Sequence, residues 1–210
     1  MSSLIAGAAT VPKPPMRTRA VTLMAGVGIL TGLISSLPSP LPDLRLVEPE
    51  FLINAKNVPL HAGIAFGAGI AIMLWLWVTR DLGKCLLAVA LTIVGWLVAA
   101  NTANDVISVT VSSDLFGTAE GAKANREVVG CVLAGLIAGA IGAGLTAFGA
   151  GIAADPIRRA KAWIPIVATG ALFGLLLYPA AHWNAIALLF VPWQAAVAGL
   201  IAHALTRPAA

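Results

Sequence analysis

Few residues of this chain are suited to binding or reaction. His61, Asn101, Asn104, Asp105, His182 and Asn184 stand at the ends of apolar stretches, and Gln194 lies within one. Two imidazoles and a carboxylate suit a transition metal, a facing histidine pair suits a haem, and a quinone headgroup would take hydrogen bonds from the same groups. The ligand or substrate candidates are therefore His61, Asn101, Asp105, His182 and Gln194. No His-x-x-x-His spacing fixes two ligands on one helix face, so neither a metal site nor a cofactor is assigned. The competing reading is interfacial: His, Asn and Trp cap membrane helices and anchor at the headgroups. Gln194 follows Pro192 and Trp193 within an apolar run. Such a proline frees a carbonyl, and a glutamine amide in hydrocarbon needs a partner, so this trio lines a kinked cavity or bonds a neighbouring helix.

Catalytic patterns are missing. There is no Gly-x-Ser-x-Gly elbow, and Cys85 and Cys131 have no recognisable catalytic partner beside them. No ionisable residue falls near the middle of an apolar run, which argues against proton pumping, carboxylate-coupled transport and voltage sensing. The expectation is that the protein is not an enzyme.

The elements that must position these residues are set by composition. The 210 residues are 59% hydrophobic and 10% charged, with a mean hydropathy of +0.92. A soluble domain carries roughly 25% charged residues. A helix of about 20 residues rises about 30 Å and crosses the hydrocarbon core, so six spans account for most of the chain. The sequence predicts an all-α polytopic membrane protein with spans at about 19–37, 60–79, 85–104, 128–153, 163–181 and 185–205. Residues 1–18 precede the bundle and 206–210 follow it. The alternating run VISVTVS after the third span reads as strand or as two further helical turns.

Lys and Arg concentrate in cytoplasmic connections. With both termini cytoplasmic, the inner segments hold Lys13, Arg17, Arg19, Arg80, Lys84, Arg158, Arg159, Lys161 and Arg207, and the outer ones only Arg45, Lys56, Lys123 and Arg126. This asymmetry predicts cytoplasmic termini in a bacterial inner membrane. It also explains the net charge of +4 without nucleic acid, because the basic residues form no long run.

Glycines recur at four-residue spacing as Gly28 and Gly32, Gly63 and Gly67, Gly135 and Gly139, and Gly170 and Gly174. This spacing lets helix backbones meet within the chain or between chains. The expected function is a non-catalytic subunit of a larger membrane assembly, positioning partner helices, lipids or cofactors. Its partners are the bilayer, and other membrane subunits or further copies of itself. A small transporter or channel component with a polar site near the outer face is the alternative, and a haem- or quinone-binding redox subunit the third reading.

Overall fold

The structure is a computed structural model and describes residues 14–38, 60–113 and 120–207. Much of the two long connecting segments, at 39–59 and 114–119, lies outside the described residues, as do 1–13 and 208–210. The regular elements among the described residues are all helices: α1 (Pro14–Ser35), α2 (Leu60–Trp77), α3 (Leu82–Ser112), α4 (Glu120–Ala153), a 3-10 turn (Asp155–Arg158), α5 (Ala160–Gly174), α6 (Leu177–His182) and α7 (Ala187–Leu205). Six stretches are long and apolar enough to cross a membrane, with α5 and α6 together forming one of them, Ala160–His182. The chain thus has the architecture of a multi-pass integral membrane protein.

Local chemistry explains the boundaries. Asp81 caps α3, its side chain accepting from the Lys84 backbone N–H at 3.2 Å. At the other end α3 continues through VISVTVS to Ser112, so that run is helix. Arg158 closes α4 by donating to the carbonyls of Gly151 at 2.7 Å and Ile152 at 3.2 Å. Orphan carbonyls of a last helical turn favour such a cationic donor. The α5–α6 break has a proline behind it: Pro179 has no N–H to offer Leu175, and the backbone tightens to i→i+3 bonds at Leu175 and Leu176. Asn184 turns the following hairpin with φ at 49°, a left-handed conformation that Asn tolerates.

The helices close into a ring in which each packs on the next: α1 on α2, α2 on α3, α3 on α4, α4 on α5, α5 on α7, and α7 back on α1. One end of the ring carries Arg80, Lys84, Arg158, Arg159 and Lys161, and is called here the basic end. The opposite end, where α2, α4 and α7 begin, is the loop end. Towards the basic end the interior is closely filled, with Ile70, Leu74, Ile157, Val197 and Ile201 almost wholly buried.

Glycine sets the closest approaches. A Cβ on Gly139 would collide with the backbone of Gly170, and one on Gly174 with the backbone of Gly135, so α4 and α5 meet backbone to backbone. Gly28 and Gly32 lie similarly against Gln194–Ala195 and Phe190–Val191 of α7, while Gly63 and Gly67 face Trp96, Val89 and Thr92 of α3. All four glycine pairs are thus engaged within the chain. At Gly26, by contrast, an added Cβ would meet nothing within 4 Å.

Gly139→Val should lower thermal stability in mild detergent by at least the roughly 1–3 kcal/mol of an overpacked contact. Gly26→Ala should be neutral or stabilising by up to about 1 kcal/mol, from helix propensity alone. Comparing the two unfolding midpoints checks the assignment of close contacts.

Candidate functional site

The five ligand candidates occupy different environments. Gln194 is 1% exposed, on the interior face of α7. Its Nε2 donates to Ser35 Oγ at 2.9 Å, joining α7 to α1. Ser35 Oγ in turn donates to the Thr31 carbonyl at 2.7 Å and lies 3.5 Å from the carbonyl oxygen of Ala62 on α2. The single hydroxyl proton goes to Thr31 and a lone pair receives the amide, so the serine is used in both senses. Gln194 Oε1 is buried with no hydrogen-bond partner among the described residues.

Close approach by α1 makes this bond possible. Gly28, Thr31, Gly32 and Ser35 recur at helical spacing, and the two glycines bring the α1 backbone against α7 around Gln194. Of the two roles open to Gln194, the bond to a neighbouring helix is present. A cavity is present as well: a pocket of about 10 Å³ is lined by Ala62, Gly63, Phe66, Thr92, Trp96, Gly142, Thr146, Trp193 and Gln194. That is about the space of one water, which needs roughly 10–15 Å³ and polar partners.

His61 opens α2 and is 8% exposed, with neither ring nitrogen partnered among the described residues. Asn101 donates to its own helix, Nδ2 to the Leu97 carbonyl at 2.6 Å. Asn104 and Asp105 are exposed. His182 is also exposed and stacks on Tyr178, with ring centroids 5.7 Å apart, beside Trp183 at 6.4 Å. Among the described residues no three His, Cys, Asp or Glu side chains come together as a metal-binding group. His61 and His182 thus stand at helix ends, whereas Asn101, Asn104 and Asp105 lie within α3, which runs on to Ser112, and Gln194 lies within α7.

What sequence reasoning missed is an apolar cavity inside the bundle. An elongated cavity of about 180 Å³ lies between α3, α4, the α5–α6 span and α7. Its walls are small residues, Ala99, Ala100 and Ala103 of α3 and Gly135, Ala138, Gly139 and Gly142 of α4, while Trp96, Phe190 and Trp193 are its aromatic members. Asn104, Leu177 and Ile186 also line it. From Trp96 to Asn104 is eight residues of helix, about 12 Å of rise. The aromatic end is firmly built: Trp96 packs edge-on against Phe190 at 5.0 Å, and Trp193 against Phe66 at 5.6 Å. Trp193 Nε1 donates to the Gly170 carbonyl at 3.0 Å, which leaves the indole to present carbon to the cavity. Trp96, Gly142 and Trp193 line both cavities and stand between the apolar one and the small pocket beside Gln194.

The sequence signal for this cavity was Ala99 and Ala103, a small pair at i, i+4, together with the unbroken small-residue character of α4. Local spacing does not reveal that both faces border the same space.

Replacing Gln194 by Leu or Ser35 by Ala should each cost about 0.6 kcal/mol, up to ~1.7, the range for interhelical polar bonds in membranes. The double variant should cost less than the two singles added. Additive losses in detergent unfolding would show that the bond contributes nothing measurable. No protein-family model, curated protein or solved structure matches this chain.

Proposed function

We propose that this protein is a non-catalytic, multi-pass subunit of a larger membrane assembly, whose work is to hold apolar partners in position. The observation that carries this reading is the 180 Å³ apolar cavity, built from small and aromatic side chains at fixed positions within the helix ring. A site that binds by shape and burial is suited to holding, because it offers a ligand few polar groups with which to react. Supporting this, none of the described Asp, Glu, Lys or Arg residues is buried.

On this reading the protein lies in a bacterial inner membrane with both termini cytoplasmic, as the positive-inside rule requires of the basic end. Partner subunits then meet the bundle on its outward-facing apolar surfaces, such as Leu30, Ile72, Leu86 and Leu172, all more than half exposed. The glycine faces are already occupied by helices of the same chain.

A transport role is the second reading. It draws on the unpartnered Gln194 Oε1 beside a water-sized pocket, with the larger cavity leading towards it behind Trp96 and Trp193. It requires the aromatic pair to move, since these residues stand between the two spaces.

Gentle purification of the tagged protein from its native membrane should retain stoichiometric membrane-protein partners, read by intact-complex mass. A partner-free protein that supports solute flux in proteoliposomes, with the flux lost in Gln194→Leu, would replace the subunit reading by the transport one. A reporter fused after Ala210 should be active on the cytoplasmic side only, and activity on the opposite side would reverse the proposed orientation.

A further inference from the structure

We propose that the 180 Å³ cavity is a binding site for one hydrocarbon chain of a membrane lipid, entering at the Asn104 end and reaching Trp96 and Trp193. This deepens the positioning role proposed above and rests on it for its biological meaning.

Three properties of the cavity select this occupant. The first is polarity. Its surface is almost wholly carbon, and the Trp193 N–H that would otherwise point to a polar ligand is held by the Gly170 carbonyl. Apolar cavities of comparable volume, about 150 Å³, stay dry and take up benzene-sized apolar molecules. Water is therefore a poor occupant.

The second is shape. The cavity follows about 12 Å of α3 between Asn104 and Trp96, and its volume over that length leaves a narrow bore. A helix of a partner protein, about 10–12 Å across with its side chains, does not enter such a space. A flexible chain does.

The third is placement. Gly63 near the start of α2 lies against Trp96, and α2 begins at Leu60, three residues earlier. The cavity continues along α3 for two further turns, to Asn104. The three α2 residues before Gly63 cover only about 4.5 Å of that length, so the described part of α2 begins short of the level of Asn104. Asn104 is exposed there, with Asp105 next to it, so the lining turns polar towards the loop end, within α3 and two turns before that helix ends at Ser112, and a headgroup finds polar partners there. The backbone contact between α4 and α5 maintains the opening, because Gly135, Gly139 and Gly174 leave space along the same faces that they pack.

The test uses the full chain. A variant carrying W75F, W77F, W163F and W183F keeps Trp96 and Trp193 as the only indoles, both in the cavity lining. Reconstituted into vesicles of phosphatidylcholine brominated along its acyl chains, its fluorescence should be strongly quenched. Adding Ala138→Phe or, on the facing wall, Ala100→Leu should remove most of that quenching, because either side chain occupies the cavity. In parallel, native mass spectrometry of the unsubstituted protein after detergent exchange should find a single phospholipid retained, and find it lost in both cavity-filling variants. Quenching and lipid retention unchanged by both fillings would overturn the proposal, as would an unsubstituted protein that retains no phospholipid. An unsubstituted protein that retains no phospholipid but keeps its protein partners would remove this site and leave the subunit role standing. A retained lipid without protein partners would support the site and remove the subunit role.

Discussion

Hydrocarbon gives an apolar helix little reason to prefer another helix over lipid, so the bundle depends on backbones coming close enough for dispersion contacts to accumulate. The tightest such meeting is α4 on α5, where Gly139 faces Gly170 and Gly135 faces Gly174 with no room for a Cβ. Gly28 and Gly32 do the same for α1 on α7. Between them these contacts fix both neighbours of the α5–α7 pair. The ring can close only because two of its junctions are this thin.

The remaining features follow from that closure. With α1 pressed on α7, Ser35 comes within hydrogen-bond distance of Gln194, and a glutamine amide that hydrocarbon would penalise acquires a partner. With α5 pressed on α4, Trp193 of α7 reaches the Gly170 carbonyl. Large aliphatic side chains then fill the interior near the basic end. Nearer the loop end the lining is alanine and glycine, too small to fill the same radius, and the 180 Å³ cavity results. The same residue types thus produce contact where they face one another and space where they face inward.

Much of the architecture was legible in the sequence. Runs of apolar residues long enough to span a bilayer, interrupted by Arg80, Lys84 and the Asp155–Lys161 turn, marked six crossings, and six such helices are present. The glycine spacing marked close helix contacts, and these exist. The polar candidates were harder to interpret. In the sequence His61, Asn101, Asp105 and His182 all fall at the ends of apolar stretches, yet His61 is buried at the start of α2, Asn101 is bonded to its own helix, Asp105 is exposed within α3, and His182 is exposed at the end of α6. Depth in the membrane is one coordinate, and a binding site also requires the two lateral ones.

The sequence by itself therefore determined which stretches are long and apolar enough to cross a bilayer, because the cost of burying charge and exposed backbone is so large that hydropathy and length decide it. Only the tertiary structure decided which helices are neighbours, that Gln194 bonds Ser35, and that Trp96, Ala103, Gly139 and Phe190 border one space. Those outcomes turn on contacts of a fraction of a kcal/mol to a few kcal/mol between surfaces equally at ease against lipid. They are set by shape across four helices at once, which no local pattern records.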